Sequence, residues 1–148
     1  MKIRMSLWPA LCVFALFFLP PGFAQLPDAA ALRHVKAIYI DAMGQGDEAE
    51  RYRLLLQDQL RRVGFDVSER AEDADAILIG TLSAEVHSDI AMAHATLTLK
   101  TRAGRQIWNG DYVSQHWGQG GNDTVNETAR NCANGLRKDW DKAATSKK

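Results

Sequence analysis

Ala74-Asp75-Ala76-Ile77-Leu78-Ile79-Gly80 is apolar on both sides of an alternating chain, which marks the buried beginning of a β-strand near a sheet centre. From Ala76 onward the even positions stay apolar or small: Ala76, Leu78, Gly80, Leu82, Ala84, Val86. The odd positions turn polar after Ile77 and Ile79, through Thr81, Ser83, Glu85 and His87. In the following strand the parity inverts, with Ala93, Ala95, Leu97 and Leu99 apolar and His94, Thr96, Thr98 and Lys100 mostly polar. Apolar residues meet across the two strands only if paired residue numbers sum to an odd value, so a loop with an even number of residues is predicted within Ser88–Ala91. Arg102-Ala103-Gly104-Arg105 is the next turn. A two-residue loop at Ala103-Gly104 pairs Leu99 with Trp108 and Ala95 with Tyr112, which adds Trp108, Gly110 and Tyr112 to the apolar face. Three consecutive strands then agree on one buried and one wettable face.

Upstream of this ribbon, Val35–Ile40 alternates and is rich in β-branched residues, a first strand. Asp41–Asp47 is a loop, with Asp47 as the expected N-cap. Its two glycines lack the Lys-Ser/Thr ending or third glycine of a phosphate loop. Glu48–Val63 places Tyr52, Leu55, Leu56, Leu60 and Val63 at helical spacing, with charged residues on the remaining arc. Gly64 ends that helix, and Phe65–Ser68 is a short second strand, so a parallel crossover is predicted. Downstream, His116–Gly121 reads as a glycine-rich loop, and Thr124-Val125-Asn126-Glu127 as a capping box for a last helix. That helix carries the stripe Val125, Ala129, Cys132, Leu136 and Trp140. Trp108 and Tyr112 are assigned to the core. The predicted fold is α+β: a two-layer sandwich of order β-α-β-β-β-β-α, a mixed sheet with both helices on one face.

Met1–Ala24 has the make-up of a secretory signal peptide. Lys2 and Arg4 give a positive start, Leu7–Leu19 is apolar apart from Pro9, and Gly22-Phe23-Ala24 offers a small-residue cleavage site. A helix over Leu7–Leu19 would be roughly 20 Å long, short of a hydrocarbon core of about 30 Å. The chain is therefore expected to be periplasmic or secreted, and no integral membrane protein after cleavage. Residues 25–34 form an entry segment, 35–142 one α/β domain and 143–148 a disordered tail. Lys plus Arg and Asp plus Glu are equal at 18 each, so no electrostatic footprint for nucleic acid is present. Cleavage removes Cys12 and leaves Cys132 without a partner for an internal disulfide, most simply a buried small hydrophobe on the last helix.

No catalytic signature, cofactor motif or carboxylate pair stands out. The wettable sheet face offers Glu85, His87, His94, Thr96, Asn109 and Asp111. His87 and His94 project from the same side, and with Ile90-Ala91 as the loop they stand directly opposite, Cβ atoms about 5 Å apart. With Glu85 or Asp89 they would be an incipient zinc set or the base of a hydrolytic site, although no Gly-x-Ser-x-Gly elbow accompanies them. Trp117, next to His116 in the glycine-rich loop, is either a binding anchor or a cap on one end of the core. The binding candidates are thus His116, Trp117, Glu85 and Asp111, and the metal candidates His87 and His94.

The helix ending in Leu60-Arg-Arg-Val-Gly-Phe-Asp-Val-Ser68, followed by Ala74-Asp-Ala-Ile-Leu-Ile-Gly80 and Leu97-Thr-Leu-Lys-Thr-Arg-Ala-Gly-Arg-Gln-Ile-Trp108, resembles a group of bacterial envelope modules. It is similar to the amino-terminal domain of the Tol-Pal translocation protein. It is also similar to small α/β domains of outer-membrane assembly lipoproteins and the curli-secretion lipoprotein. The resemblance spans most of Val35–Trp140 and implies a non-enzymatic binding or assembly accessory with an envelope protein as partner. It transfers no catalytic residue, and the chain departs from the lipoprotein members in lacking a lipid-attachment cysteine.

Overall fold

The structure, a computed structural model, describes residues 28–118 and 121–146; the expected leader lies outside them. The elements are α1 (Ala29–Leu32), β1 (Ala37–Ile40), α2 (Asp47–Arg62), β2 (Asp66–Ser68), β3 (Ala76–His87), β4 (Ile90–Thr101), β5 (Gln106–Trp117) and α3 (Gly121–Thr145), with a 3-10 turn at Ala71–Asp73. They form an α+β two-layer sandwich around one five-stranded mixed sheet of order β2-β1-β3-β4-β5. β1 pairs in parallel with β2 and β3, while β3–β4 and β4–β5 are antiparallel.

The strands pair as the alternation of apolar residues predicts. Leu78 pairs with Leu99 and Leu99 with Trp108, so one rung of three large apolar side chains crosses the ribbon on the helix side. Ala95 pairs with Tyr112 as predicted. The β3–β4 loop is Ser88-Asp89, with Ser88 at φ 53°, and not Ile90-Ala91. The β4–β5 turn is longer than expected: Gly104 N–H donates to the Thr101 carbonyl, Thr101 N–H donates to the Arg105 carbonyl, and a bulge between Leu99 and Lys100 follows. Ile107 is the extra residue, and both it and Trp108 are buried.

α2 buries Tyr52, Leu56 and Leu60, and α3 buries Val125, Ala129, Cys132, Ala133 and Leu136, all packed against the helix-side residues of the sheet. The termini differ from expectation by small amounts. Gly46, at φ 86°, is the cap of α2, and Asp47 is its first residue. α3 begins at Gly121, so Thr124 and Thr128 are buried interior positions rather than a capping box, and Thr128 donates its hydroxyl proton to the Thr124 carbonyl. The helix continues to Thr145 with Ala143 buried, through residues expected to fray.

α3 is fastened to the sheet by two indoles and two glycines. Trp108 Nε1 donates to Asp139, and Trp140 Nε1 donates to the Val35 carbonyl at 2.8 Å, just ahead of β1. Trp140 also meets Phe65 edge-on, and the Arg137 guanidinium lies 4.7 Å over its ring. A Cβ at Gly110 would lie 2.5 Å from both the Trp108 and Tyr112 rings; one at Gly135 on α3 would collide with the Tyr112 hydroxyl oxygen. Both glycines are thus required by the same tyrosine. Burial also pushes the Tyr112 phenol up to about 12, with contributions from Cys132 and Asp139.

Asp75, ahead of β3, ties β1 in place. Its carboxylate accepts from the N–H groups of Lys36 and Ala37 at 2.9 Å each. The Ala37 N–H is the main cause of its lowered pKa, opposed by partial burial and aided by the Lys36 N–H. A depressed folded value contributes stability above the ordinary value of 3.8 that is lost as pH falls through the folded one. Asp75→Asn is expected to lose about 1 kcal/mol at pH 7, the value of an exposed hydrogen-bonded carboxylate, and to show a flatter loss of stability below pH 4 in urea titrations. Gly135→Ala is expected to cost on the order of 2 kcal/mol by overpacking. A double-mutant cycle with Tyr112→Leu should recover most of it; a cost unchanged when Tyr112→Leu is already present would place the strain elsewhere.

Candidate functional site

Because both helices cover one side of the sheet, the other side is a surface of β3, β4 and β5 side chains arranged in rungs. Toward the end remote from the β4–β5 turn these are Thr81–Thr96–Asp111, Ser83–His94–Val113, Glu85–Met92–Gln115 and His87–Ile90–Trp117. β1 pairs with β3 only through Leu78, so this distal part of the ribbon projects past its parallel neighbour. Four of the large exposed hydrophobic side chains gather there. Trp117 is 79% exposed, Val113 59% and Met92 41% on the open face, and Val86 is 62% exposed on the opposite one. Met92 stands opposite Gln115, and so sits diagonally between Val113 and Trp117, while Ile90 lies directly across from Trp117. A shallow depression of about 250 Å³ is lined by Ser83, Glu85, Met92, Ala93, His94 and Val113 beside them.

Trp117 is the last residue of β5, not part of a glycine-rich loop, and its exposure rules out a role as a lid on the core. His116, its neighbour, faces the other way: the imidazole Nε2 pairs with Glu127 of α3, half-buried against the helix. Of the four binding candidates, the fold therefore collects Glu85, Asp111 and Trp117 on the open face and sends His116 to the helix side. Met92 and Val113 were not singled out from sequence. The parity that placed Glu85 and Asp111 on the open face also places even-numbered Met92 and odd-numbered Val113 there, so the signal was present.

The two metal candidates share the open face but not a site. His94 pairs with Ser83 and His87 with Ile90, a separation of four residues along the ribbon, or about 13 Å. Each imidazole is instead bonded to its own carboxylate. His87 Nε2 lies 3.0 Å from Glu85, and His94 Nε2 lies 2.5 Å from Asp111 with the Thr96 hydroxyl at 3.5 Å. No group of three or more His, Cys, Asp or Glu side chains able to hold a metal ion occurs among the described residues. Ser83 stands directly across from His94, whose Nε2 is bonded to Asp111.

Cys132 is fully buried in α3, and burial pushes its thiol up to about 12.

No family model matches the chain, and no curated protein matches it. A solved structure similar to it is a DUF4136 family protein from Bacteroides thetaiotaomicron VPI-5482, with a TM-score of 0.39 and 11% identity, covering 82% of this chain and 95% of that one. Among the described residues, no helix is long and apolar enough to cross a membrane.

Two measurements check this geometry. Native protein is expected to leave Cys132 unlabelled by a maleimide near neutral pH and to label fully in denaturant; rapid native labelling would contradict its burial. Zinc titration should be unchanged by His87→Ala with His94→Ala, whereas loss of a stoichiometric zinc in the double variant would reinstate the paired-histidine site.

Proposed function

We propose that this chain is a non-enzymatic, exported accessory of the bacterial cell envelope that holds a protein partner on the open face of its sheet. The observation that carries the proposal is the contiguous apolar group Ile90, Met92, Val113 and Trp117, left uncovered at the distal end of that face. A tryptophan four-fifths exposed at the end of a strand buries little of its ring in the isolated fold. It does provide large contact area with little side-chain entropy to lose on binding. Polar Glu85, His94 and Gln115 surround the group, the arrangement of an apolar anchor within a wettable rim.

Three further features support export and partner binding over catalysis. The leader composition of Met1–Ala24 argues for passage across a membrane. The resemblance to the amino-terminal domain of the Tol-Pal translocation protein implies an assembly role with no residue chemistry. The open face, in turn, offers histidines bonded to carboxylates rather than a nucleophile set against a base.

The test is capture of envelope proteins on immobilised protein, compared with Trp117→Ala and Val113→Ser. Both positions are exposed, so both variants are expected to fold like the parent by circular dichroism. Recovery of a specific partner should fall at least tenfold with Trp117→Ala. A partner retained equally by both variants would move the binding surface off this face.

A further inference from the structure

The two ends of β5 are managed differently. β5 is the terminal strand of the sheet, and at its start the outer edge is closed. There the Asp28 N–H donates to the Ile107 carbonyl at 2.9 Å, Arg105 pairs with Asp28 at 3.0 Å, and the bulge interrupts the register. From Trp108 to Trp117 the pairing with β4 is continuous, and no backbone group pairs along the outer side among the described residues. Edge strands are ordinarily guarded by Lys, Pro, a bulge or short length. This stretch contains no Lys, Arg or Pro and a single charged side chain, Asp111, whereas β2 at the opposite edge is three residues long. β3 also outruns β1, but the open-face side chains along it there are Thr81, Ser83, Glu85 and His87, so the apolar surface lies with β5.

Charge selects the occupant. No Lys or Arg occurs from Ile79 to Leu99 or from Gln106 to Gly118; the fixed charges of those segments are Glu85, Asp89 and Asp111. Asp111 lies on β5 itself. Asp89 lies beside its far end, where its carbonyl accepts from the Gly118 N–H. The Val113–Trp117 edge is therefore flanked by carboxylates, with the basic residues Lys100, Arg102 and Arg105 at the other end of the ribbon. A second copy would bring a like-charged edge against this one, and an anionic bilayer would be repelled in the same way.

We infer that the outer edge of β5, from Trp108 to Trp117, accepts an extended basic and apolar segment of a partner protein as a sixth strand. Main-chain hydrogen bonds give the affinity. Apolar side chains on the open side of the added strand rest against Val113 and Trp117, and a Lys or Arg meets Asp111, with Asp89 at the far end of the edge. This rests on the open face being the binding surface proposed above and names what it binds.

The probe is a ten-residue peptide alternating Lys with Val, titrated into the chain as recovered from cells, at low salt, with the backbone amide spectrum as readout. Saturable shifts concentrated in Trp108–Trp117 are expected. Binding should weaken at least tenfold with Glu in place of Lys, with a central Pro that removes a main-chain donor, and with Asp111→Lys, an exposed change that leaves the fold intact. Equal binding of the acidic or Pro-containing peptide, shifts away from β5, or no binding at millimolar peptide would each overturn the inference. So would a concentration-dependent dimer that perturbs the same amides, since a second copy would then be the occupant. Trp117-dependent capture of a partner alongside failure of the basic peptide would refute only the basic strand; loss of both would refute the proposed function as well.

Discussion

Tyr112 decides how closely the last helix lies on the sheet. Its ring and that of Trp108 converge over Gly110, and its hydroxyl end enters the notch left by Gly135. A methyl group at either glycine collides with aromatic carbon or oxygen, so the spacing between α3 and β5 is fixed by the absence of two side chains. With that contact set, Asp139 meets the Trp108 indole, and Trp140 reaches across to the carbonyl of Val35 ahead of β1. The helix layer is thereby locked to one side along the length of β5. The exposure of the other side follows from the same contact: no element remains among the described residues to cover it.

The period-two pattern made the register of the ribbon legible, because slipping any strand by one residue would turn Leu97 or Trp108 to water. Parity alone could not say which even loop joins β3 to β4. Ser88 takes a positive φ that glycine or asparagine would have announced, and Ser-Asp carries no such mark. At the second turn two departures from regular pairing cancel. The loop is one residue longer than expected at Arg102-Ala103-Gly104, and the bulge at Ile107 restores the sum that pairs Leu99 with Trp108. The strand register is therefore as expected although the turn is not.

The site was less legible. Gly118, Gly120 and Gly121 drew the expected loop back over His116 and Trp117, whereas β5 holds its extended conformation to Trp117 and sends the two side chains to opposite faces. His116 finds its partner eleven residues on, in a helix whose angle to the strand no local pattern encodes. The same holds for Asp75 and the N–H groups of Lys36 and Ala37, and for Tyr112 and Gly135. Each is a coincidence of distant segments in space. What the sequence did carry was the set of open-face positions, the apolar Met92 and Val113 among them.

The clasp between Asp28 and the start of β5 has a further bearing on how the molecule is displayed. Wherever the chain leads before Asp28, it departs beside Ile107, and Trp117 stands ten residues further along the same strand, about 33 Å away. Asp28 marks the heel of the module and the tryptophan its toe. β5 thus sets the entry of the described chain and its exposed tryptophan at opposite ends of one strand.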